Sequence, residues 1–153
     1  MQPETWYACE ACGATRRDAR TCDEDFHTLL AWEYERPELR QQHHLLVLAY
    51  HLQHPRLYSP EGLAYARQML ANFLVGLSSA AARARAQAVL GPDRRGWRLT
   101  GTPTSYGSYP SRPEWPVTVA DVIASGIDDA ATQVQRWART TQTALDRIER
   151  RER

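Results

Sequence analysis

The strongest constraint on this 153-residue chain is the position of its metal-binding residue types. All three cysteines lie within the first 22 residues, and all five histidines lie between positions 27 and 54. A disulfide framework has an even number of cysteines spread along a secreted domain, which this odd and localised set does not match. We therefore expect a metal site that joins the N-terminal segment to the part of the chain that carries the histidines.

The N-terminal segment contains a Cys-x-x-Cys-Gly motif formed by Cys9, Cys12 and Gly13. In a metal knuckle, two thiolates and nearby backbone N–H groups surround one ion, and glycine tolerates the tight turn. A redox dithiol would need the motif at the start of a helix that follows a strand, and no strand-like run precedes Cys9. Redox and unliganded cysteines remain alternatives, but the pattern favours zinc as the cofactor.

Apolar periodicity and helix-capping residues predict an all-α fold, a small bundle of about five to six helices. The predicted helices span about 24–36, 38–54, 60–77, 78–90, 118–124 and 128–150. Pro37 separates the first two, because the residue before a proline avoids the α conformation. The second helix is apolar around a wide surface, so we expect it to be the central and most buried one.

We predict a single domain, residues 1–153, made of four segments. These are a Cys-containing metal-knuckle segment at 1–22, a helical core at 23–91, an irregular Pro- and Gly-rich loop at 92–116 and C-terminal helices at 117–150. We expect the first segment to be an irregular loop with Arg16, Arg17 and Arg20 exposed. The 92–116 loop is long for a compact domain, which suggests a function or anchoring by its aromatic residues, with a short extended piece at Trp97–Leu99.

Helix geometry limits which histidines can share an ion. His43 and His54 stand about 16 Å apart along one helix axis, whereas His51 and His54 are neighbours at i, i+3. If the first two helices form an antiparallel hairpin around Pro37, Cys22 comes close to this pair. We therefore predict a closed Cys₃His zinc site.

The predicted ligands are Cys9, Cys12, Cys22 and His54, with His51, His27 and His43 in reserve for the fourth position. A histidine on a buried helix can also be a hydrogen-bonded structural residue. The polar residues of the second helix, Tyr50 and Gln53 included, fit either a groove leading to the metal or a satisfied network inside the bundle.

Three stretches resemble domain of unknown function 5946, an uncharacterised bacterial family. They are Cys9-Glu10-Ala11-Cys12-Gly13 with Cys22, the segment His43-His44-Leu45-Leu46-Val47-Leu48-Ala49-Tyr50-His51-Leu52-Gln53-His54-Pro55, and Trp115-Pro116-Val117-Thr118-Val119-Ala120-Asp121-Val122. The resemblance implies that the histidines matching His43 and His54 recur while the other two vary. It thus supports His54 as a ligand, implies a separate role for His43 and supplies no activity.

Two functions remain open. The first is a zinc-stabilised helical domain that acts as a binding or adaptor module, because three thiolates and a histidine leave no open metal position. The alternative is a metal-dependent enzyme on a helical bundle, with His27, His51 and His54 as ligands and an open position for water. Glu33 or Asp25 would then be the candidate base. No His-Glu-x-x-His motif supports the enzyme, and whether the chain is an enzyme stays open.

Composition limits the partners. All nineteen basic residues are arginines, which excludes lysine-based covalent catalysis and lysine phosphate loops. The formal charge of +1 and the lack of a helix-turn-helix signal disfavour nucleic acid. Residues 18–38 carry a balance of −5 and residues 80–112 a balance of +5, which leaves a protein partner or self-association open. With no long apolar run and no secretory signal, we expect no membrane and a cytoplasmic location.

Overall fold

The computed structural model describes residues 6–90 and 99–152, and seven α-helices occur in this part of the chain. They are α1 Cys22–Trp32, α2 Pro37–Arg40, α3 His43–Gln53, α4 Pro60–Leu74, α5 Ser79–Leu90, α6 Val119–Ser125 and α7 Ala130–Glu152. Strands β1 Tyr7–Ala8 and β2 Thr15–Arg16 pair antiparallel, and a 3₁₀ turn spans Pro55–Leu57. The predicted all-α fold is confirmed. Within these ranges no helix is both long and apolar enough to cross a bilayer.

The predicted helix starts depend on side-chain caps that form in the structure. The Ser59 hydroxyl accepts a hydrogen bond from the Gly62 backbone N–H at 2.9 Å, ahead of α4. The Asp121 carboxylate accepts one from the Thr118 backbone N–H at 2.8 Å, which satisfies a donor at the start of α6. Short polar side chains at these positions therefore determine where the helices begin.

The single helix predicted over 38–54 is wrong, since the structure divides it into α2 and α3. At the break, the Gln42 N–H donates to the Leu39 carbonyl three residues back, a tighter turn than the α-helical one. The five residues 40–44 are all polar, so no apolar side chain among them packs into the core to keep one continuous helix. This extra division accounts for the seventh helix.

Helix α3 lies at the centre of the packing, as predicted from its wide apolar surface. It packs against α4 and α7, while α6 packs against α1 and α7. The buried Gln53 amide donates to the Val117 carbonyl at 2.8 Å and to the Thr141 hydroxyl at 3.2 Å. The Gln53 amide nitrogen therefore joins α3 to α7 and to the segment before α6, inside the bundle. The network at Gln53 is only partly satisfied, because its buried Oε1 has no hydrogen-bond partner among the described residues.

The N-terminal segment is more regular than the expected irregular loop. The turn between β1 and β2 contains Gly13 at φ +79°, a left-handed conformation that glycine adopts without strain. The Cys9 N–H donates to the Ala14 carbonyl at 2.9 Å, which continues the pairing of the two strands toward the turn. A hairpin of two-residue strands gives no periodic sequence signal, and for this reason the sequence analysis missed it.

The described part of the predicted 92–116 loop, residues 99–116, packs over the end of α3. The Tyr109 hydroxyl donates to the Leu52 carbonyl at 2.6 Å, and the Gly107 N–H donates to the Tyr58 carbonyl at 2.7 Å. Tyr109 also packs edge-on against Trp115. Most of the extended piece expected at Trp97–Leu99 lies outside the described residues, as does part of the basic stretch 80–112. The loop thus lies beside the chain that follows His54.

Candidate metal centre

The antiparallel arrangement of α1 and α3 brings residues distant in sequence to one corner. Phe26 and Tyr50 stack between the two helices, with ring centroids 4.1 Å apart and an interplanar angle of 9°. Cys22 is the first residue of α1, and His54 follows the last residue of α3. Because the helices run in opposite directions, these two ends meet, and the β1–β2 turn brings Cys9 to the same place.

The structure brings Cys9, Cys12, Cys22 and His54 together so that their ligand atoms all lie within 4.8 Å of one another. The sulfurs of Cys12 and Cys22 are 3.6 Å apart, and the Cys9 sulfur lies 3.6 Å from His54 Nε2. A tetrahedral zinc with Zn–S near 2.3 Å and Zn–N near 2.0–2.1 Å separates its ligands by about 3.8 Å (S···S) and about 3.6 Å (S···N). The group has the spacing and the chemistry to hold one metal ion.

The backbone of the β1–β2 turn orients its two thiols toward the corner. The Gly13 N–H donates to the Cys9 carbonyl at 2.8 Å, which closes the turn directly after Cys12. All three cysteines are free, and Cys12 and Cys22 are buried. The Cys-x-x-Cys-Gly motif therefore forms a knuckle of the kind found at metal sites, and no helix begins there as a redox motif would require.

The His54 ring is oriented by the backbone of its own helix. His54 Nδ1 donates to the Tyr50 carbonyl at 2.7 Å, four residues back. In a neutral imidazole this places the remaining lone pair on Nε2, the nitrogen that faces the sulfurs. A hydrogen bond from the second ring nitrogen to a carbonyl is the usual support of a metal-binding histidine.

The start of α1 fixes the position of Cys22. The Thr21 hydroxyl caps the helix by accepting from the Glu24 N–H at 3.1 Å. Cys22 therefore lies in the first turn, at the positive end of the helix dipole.

A buried ion pair supports the same sulfur. Arg16 Nη1 donates to Cys22 Sγ at 3.3 Å, and the same guanidinium forms two hydrogen bonds with Asp25 Oδ2. Asp25 also accepts from Arg20 Nε at 3.0 Å. Three thiolates around a divalent ion carry one excess negative charge, and the guanidinium on Cys22 offsets it.

This support was not predicted from the sequence. Arg16 was expected to be exposed, whereas its side chain is 9% exposed. Asp25 was expected only as a candidate base, whereas its carboxylate forms ion pairs with two arginines. A signal was available, because Asp25 lies three residues after Cys22 and four before Leu29, on the inward face of α1. An acid at such a position predicts a basic partner.

Without a metal, hydrogen bonds within this group change the pKa values of three of its members. Hydrogen bonds with the other side chains, that of Cys12 first, lower the pKa of the Cys9 thiol. Hydrogen bonds with Cys22 and Cys9, together with burial, raise the pKa of the Cys12 thiol. Burial lowers the pKa of His54, but hydrogen bonds to Cys22 and Cys9 outweigh it and raise that pKa to about 9. These directions favour the thiolate form of Cys9 and the protonated form of His54 in the metal-free corner.

The three reserve histidines have other partners. His51 Nδ1 lies 3.1 Å from the Tyr58 hydroxyl, and the exposed His27 donates to the Asp23 carbonyl at 2.8 Å. His43 donates to the Glu33 carboxylate at 2.8 Å. The Cys₃His group is the only potential metal cluster within residues 6–90 and 99–152, so the all-histidine set of the enzyme hypothesis is not assembled there.

Neither candidate base is placed for metal chemistry. Glu33 follows the last residue of α1, about 16 Å along the axis from Cys22 at the other end. The Asp25 carboxylate is occupied by Arg16 and Arg20. Glu33 is therefore remote from the four potential ligand atoms, and the Asp25 carboxylate is already paired.

Comparison with known proteins agrees with the sequence resemblance. The model of a family of unknown function, DUF5946, matches residues 7–146. The chain belongs to DUF5946. The match extends from β1 into α7, so it includes all four residues of the corner, but DUF5946 brings no known activity with it. No curated protein and no solved structure matches the chain.

Proposed function

We propose that this chain holds one zinc ion through Cys9, Cys12, Cys22 and His54, and that the ion is structural and supports a binding or adaptor domain. The observation that carries the proposal is the convergence of four ligand atoms within 4.8 Å of one another. Three thiolates and one imidazole are a donor set that suits zinc. Four protein ligands complete a tetrahedron, so no position is left for a reacting water.

The proposed ion would join three segments that lie apart in the sequence. The hairpin has two strands of only two residues each, which is below what a hairpin needs for stability on its own. The other two segments are the start of α1 and the end of α3. The proposed metal binding therefore contributes to the free energy of folding of this corner.

The proposal extends to compartment and organisation. Free thiols that serve as ligands persist in a reducing compartment, which supports a cytoplasmic location. We also propose that the chain is one domain, because α3 and α7 pack against each other although they lie far apart in sequence. A protein partner or a second copy of the chain is the proposed binding target in preference to nucleic acid.

The test is the metal content of two matched variants. The full chain is purified without added zinc, and zinc per chain is measured by mass spectrometry for His54→Ala and His51→Ala. The two histidines are three residues apart on one helix, but only His54 faces the sulfurs. We expect one zinc per chain in the wild type and in His51→Ala, and loss of zinc in His54→Ala.

Two results would reject the assignment. A wild-type chain that binds no zinc when refolded with it has no such site. Zinc lost equally from both histidine variants would mean that His54 has no special role as a ligand.

A further inference from the structure

A cleft of about 560 Å³ lies directly beside the metal corner. Its walls come from the turn between the two knuckle cysteines, from the residues after His54 and from the loop ahead of Trp115. The lining residues that determine its chemistry are Glu10, Arg56, Tyr106, Ser108, Tyr109 and Arg112. The volume falls in the range of small-molecule sites, about 300–1,000 Å³.

Two arginines line the cleft, and neither forms an ion pair with a carboxylate of the described residues. The Arg56 guanidinium lies over the Tyr106 ring, 4.7 Å from its centroid. Arg112 Nη1 donates to the Glu10 carbonyl at 3.3 Å, which places its guanidinium beside the knuckle turn. A guanidinium has five N–H donors, so each of these contacts leaves donors for a ligand.

The charge and the surface of the cleft select the kind of ligand. Glu10 is its one acidic residue, so the two arginines leave a local excess of one positive charge. The Tyr106 and Tyr109 rings add aromatic surface, and the hydrogen bond of Tyr109 to the Leu52 carbonyl holds that ring in place. Guanidinium groups bind carboxylates and phosphates through paired hydrogen bonds, and aromatic rings bind flat apolar groups.

We propose that this cleft binds a small organic anion. The Arg56 and Arg112 side chains hold its carboxylate or phosphate group, and the tyrosines contact its planar apolar part. A neutral analogue of the same shape lacks the charge that the arginines recognise, and it binds far more weakly.

This site rests on the proposed metal centre, because the ligand residues frame one of its walls. Glu10 and Ala11 lie between Cys9 and Cys12, and Pro55 directly follows His54. Removal of the metal loosens that wall, so the metal-free chain loses affinity for the anion.

The test uses the full chain after its zinc content has been measured. Isothermal titration calorimetry compares phenyl phosphate, benzoate and the neutral phenol. We expect at least one of the two anions to bind and phenol not to bind. Which anion binds tells whether the natural ligand is a phosphate or a carboxylate.

Three variants locate the binding. Arg56→Gln and Arg112→Gln each lower the affinity for the anion at least about tenfold, which is the effect of losing a hydrogen bond to a charged group. Ser108→Trp fills the cleft from an exposed lining position and abolishes binding with both arginines intact. Arg139→Gln removes the same charge from an exposed position outside the lining and leaves the affinity unchanged.

The outcomes separate this site from the metal centre. Two results with zinc-loaded wild-type chain would reject the anion site but not the zinc site. In the first, the chain binds neither anion; in the second, it binds only an acidic peptide such as octaglutamate. Equal weakening by Arg139→Gln and Arg56→Gln also rejects the anion site. A chain without zinc rejects the proposed function itself. If Arg112→Gln loses zinc, the affinities of Arg56→Gln and Ser108→Trp for the anion still test the cleft.

Discussion

Helices α1 and α3 meet at both ends. At each end a histidine within α3 or next to it approaches a residue within α1 or next to it. At one end His54 lies with Cys22 in a group of four potential metal ligands. At the other end His43 forms a simple pair with Glu33, and the His43 side chain is 45% exposed. Both ends place a histidine of α3 or next to it against α1, but in the described part of the chain only the Cys22 end groups the residues of a potential metal site.

The difference comes from a third segment. The β1–β2 hairpin brings two thiols to the Cys22 end, and within residues 6–90 and 99–152 no corresponding segment supplies ligands at the Glu33 end. The role of a histidine on or next to α3 therefore depends on which residues lie opposite it. Variants at the Cys22 end test this difference, and a variant at the Glu33 end is the reference.

The largest effect is expected when a thiol of the buried end is removed. We expect Cys12→Ser to lose the metal, and its unfolding free energy to fall by at least about 3 kcal/mol. This is part of the roughly 10–16 kcal/mol that zinc binding contributes in zinc-finger peptides. Urea unfolding with a parallel metal measurement checks this. Wild-type chain stripped by a chelator is the control and has the same stability as the variant. Full zinc and native stability in Cys12→Ser would disprove the knuckle assignment.

The second largest effect is expected from pH, which changes the zinc affinity at the Cys22–His54 end. In the metal-free fold the pKa of His54 is raised from 6.5 to about 9. Protonated His54 therefore stabilises the folded state fully below about pH 6.5, and this contribution to the unfolding free energy is lost as the pH rises through 9. Metal binding must displace that proton, so zinc affinity rises with pH over this window, by up to about tenfold per unit for each proton displaced. Chelator competition at pH 6, 7.5 and 9 measures the slope. An affinity independent of pH contradicts the account.

A smaller effect is expected from the buried arginine behind Cys22. Arg16→Gln removes the hydrogen bond to the sulfur and leaves Asp25 short of a partner, so zinc affinity falls by about 10–100-fold. Arg20→Gln is the matched control, because its side chain is 44% exposed and contacts Asp25 but no ligand sulfur in the described structure. Chelator competition compares the two. Equal losses would show that the contact with Cys22 is not what matters.

The smallest effect is expected at the opposite end. His43→Ala removes a partly exposed pair, so it changes the unfolding free energy by no more than about 1 kcal/mol and leaves the zinc content unchanged. Urea unfolding and metal content of the variant check this. Loss of zinc from His43→Ala would mean that the two ends are not independent.

Features that depend on neighbouring residues were predictable from the sequence. Ser59 and Thr118 mark the starts of α4 and α6 because their caps form within three residues. Pro37 separates α1 from the next helix for an equally local reason. The convergence of Cys22 and His54 also follows from one step of geometry, the antiparallel arrangement of the two helices that carry them.

Other features gave no such signal in the sequence. The strands of the hairpin are too short to give an alternating pattern, and the break at Gln42 lies within an otherwise helical sequence. Arg16 became a neighbour of Cys22 only through the pairing of β1 with β2. The cleft beside the knuckle likewise requires the 99–116 loop to be placed against Pro55, which no local signal specifies.

X-ray absorption at the zinc edge of the purified full chain tests the central claim most directly. The account predicts one zinc with three sulfur neighbours at about 2.3 Å and one nitrogen at about 2.0–2.1 Å. His51→Ala keeps the wild-type spectrum, whereas His54→Ala has no zinc as purified, and any zinc that it binds from an added excess lacks that nitrogen. A shell dominated by nitrogen and oxygen, or an oxygen in place of one sulfur, would contradict a closed site of three thiolates and one histidine.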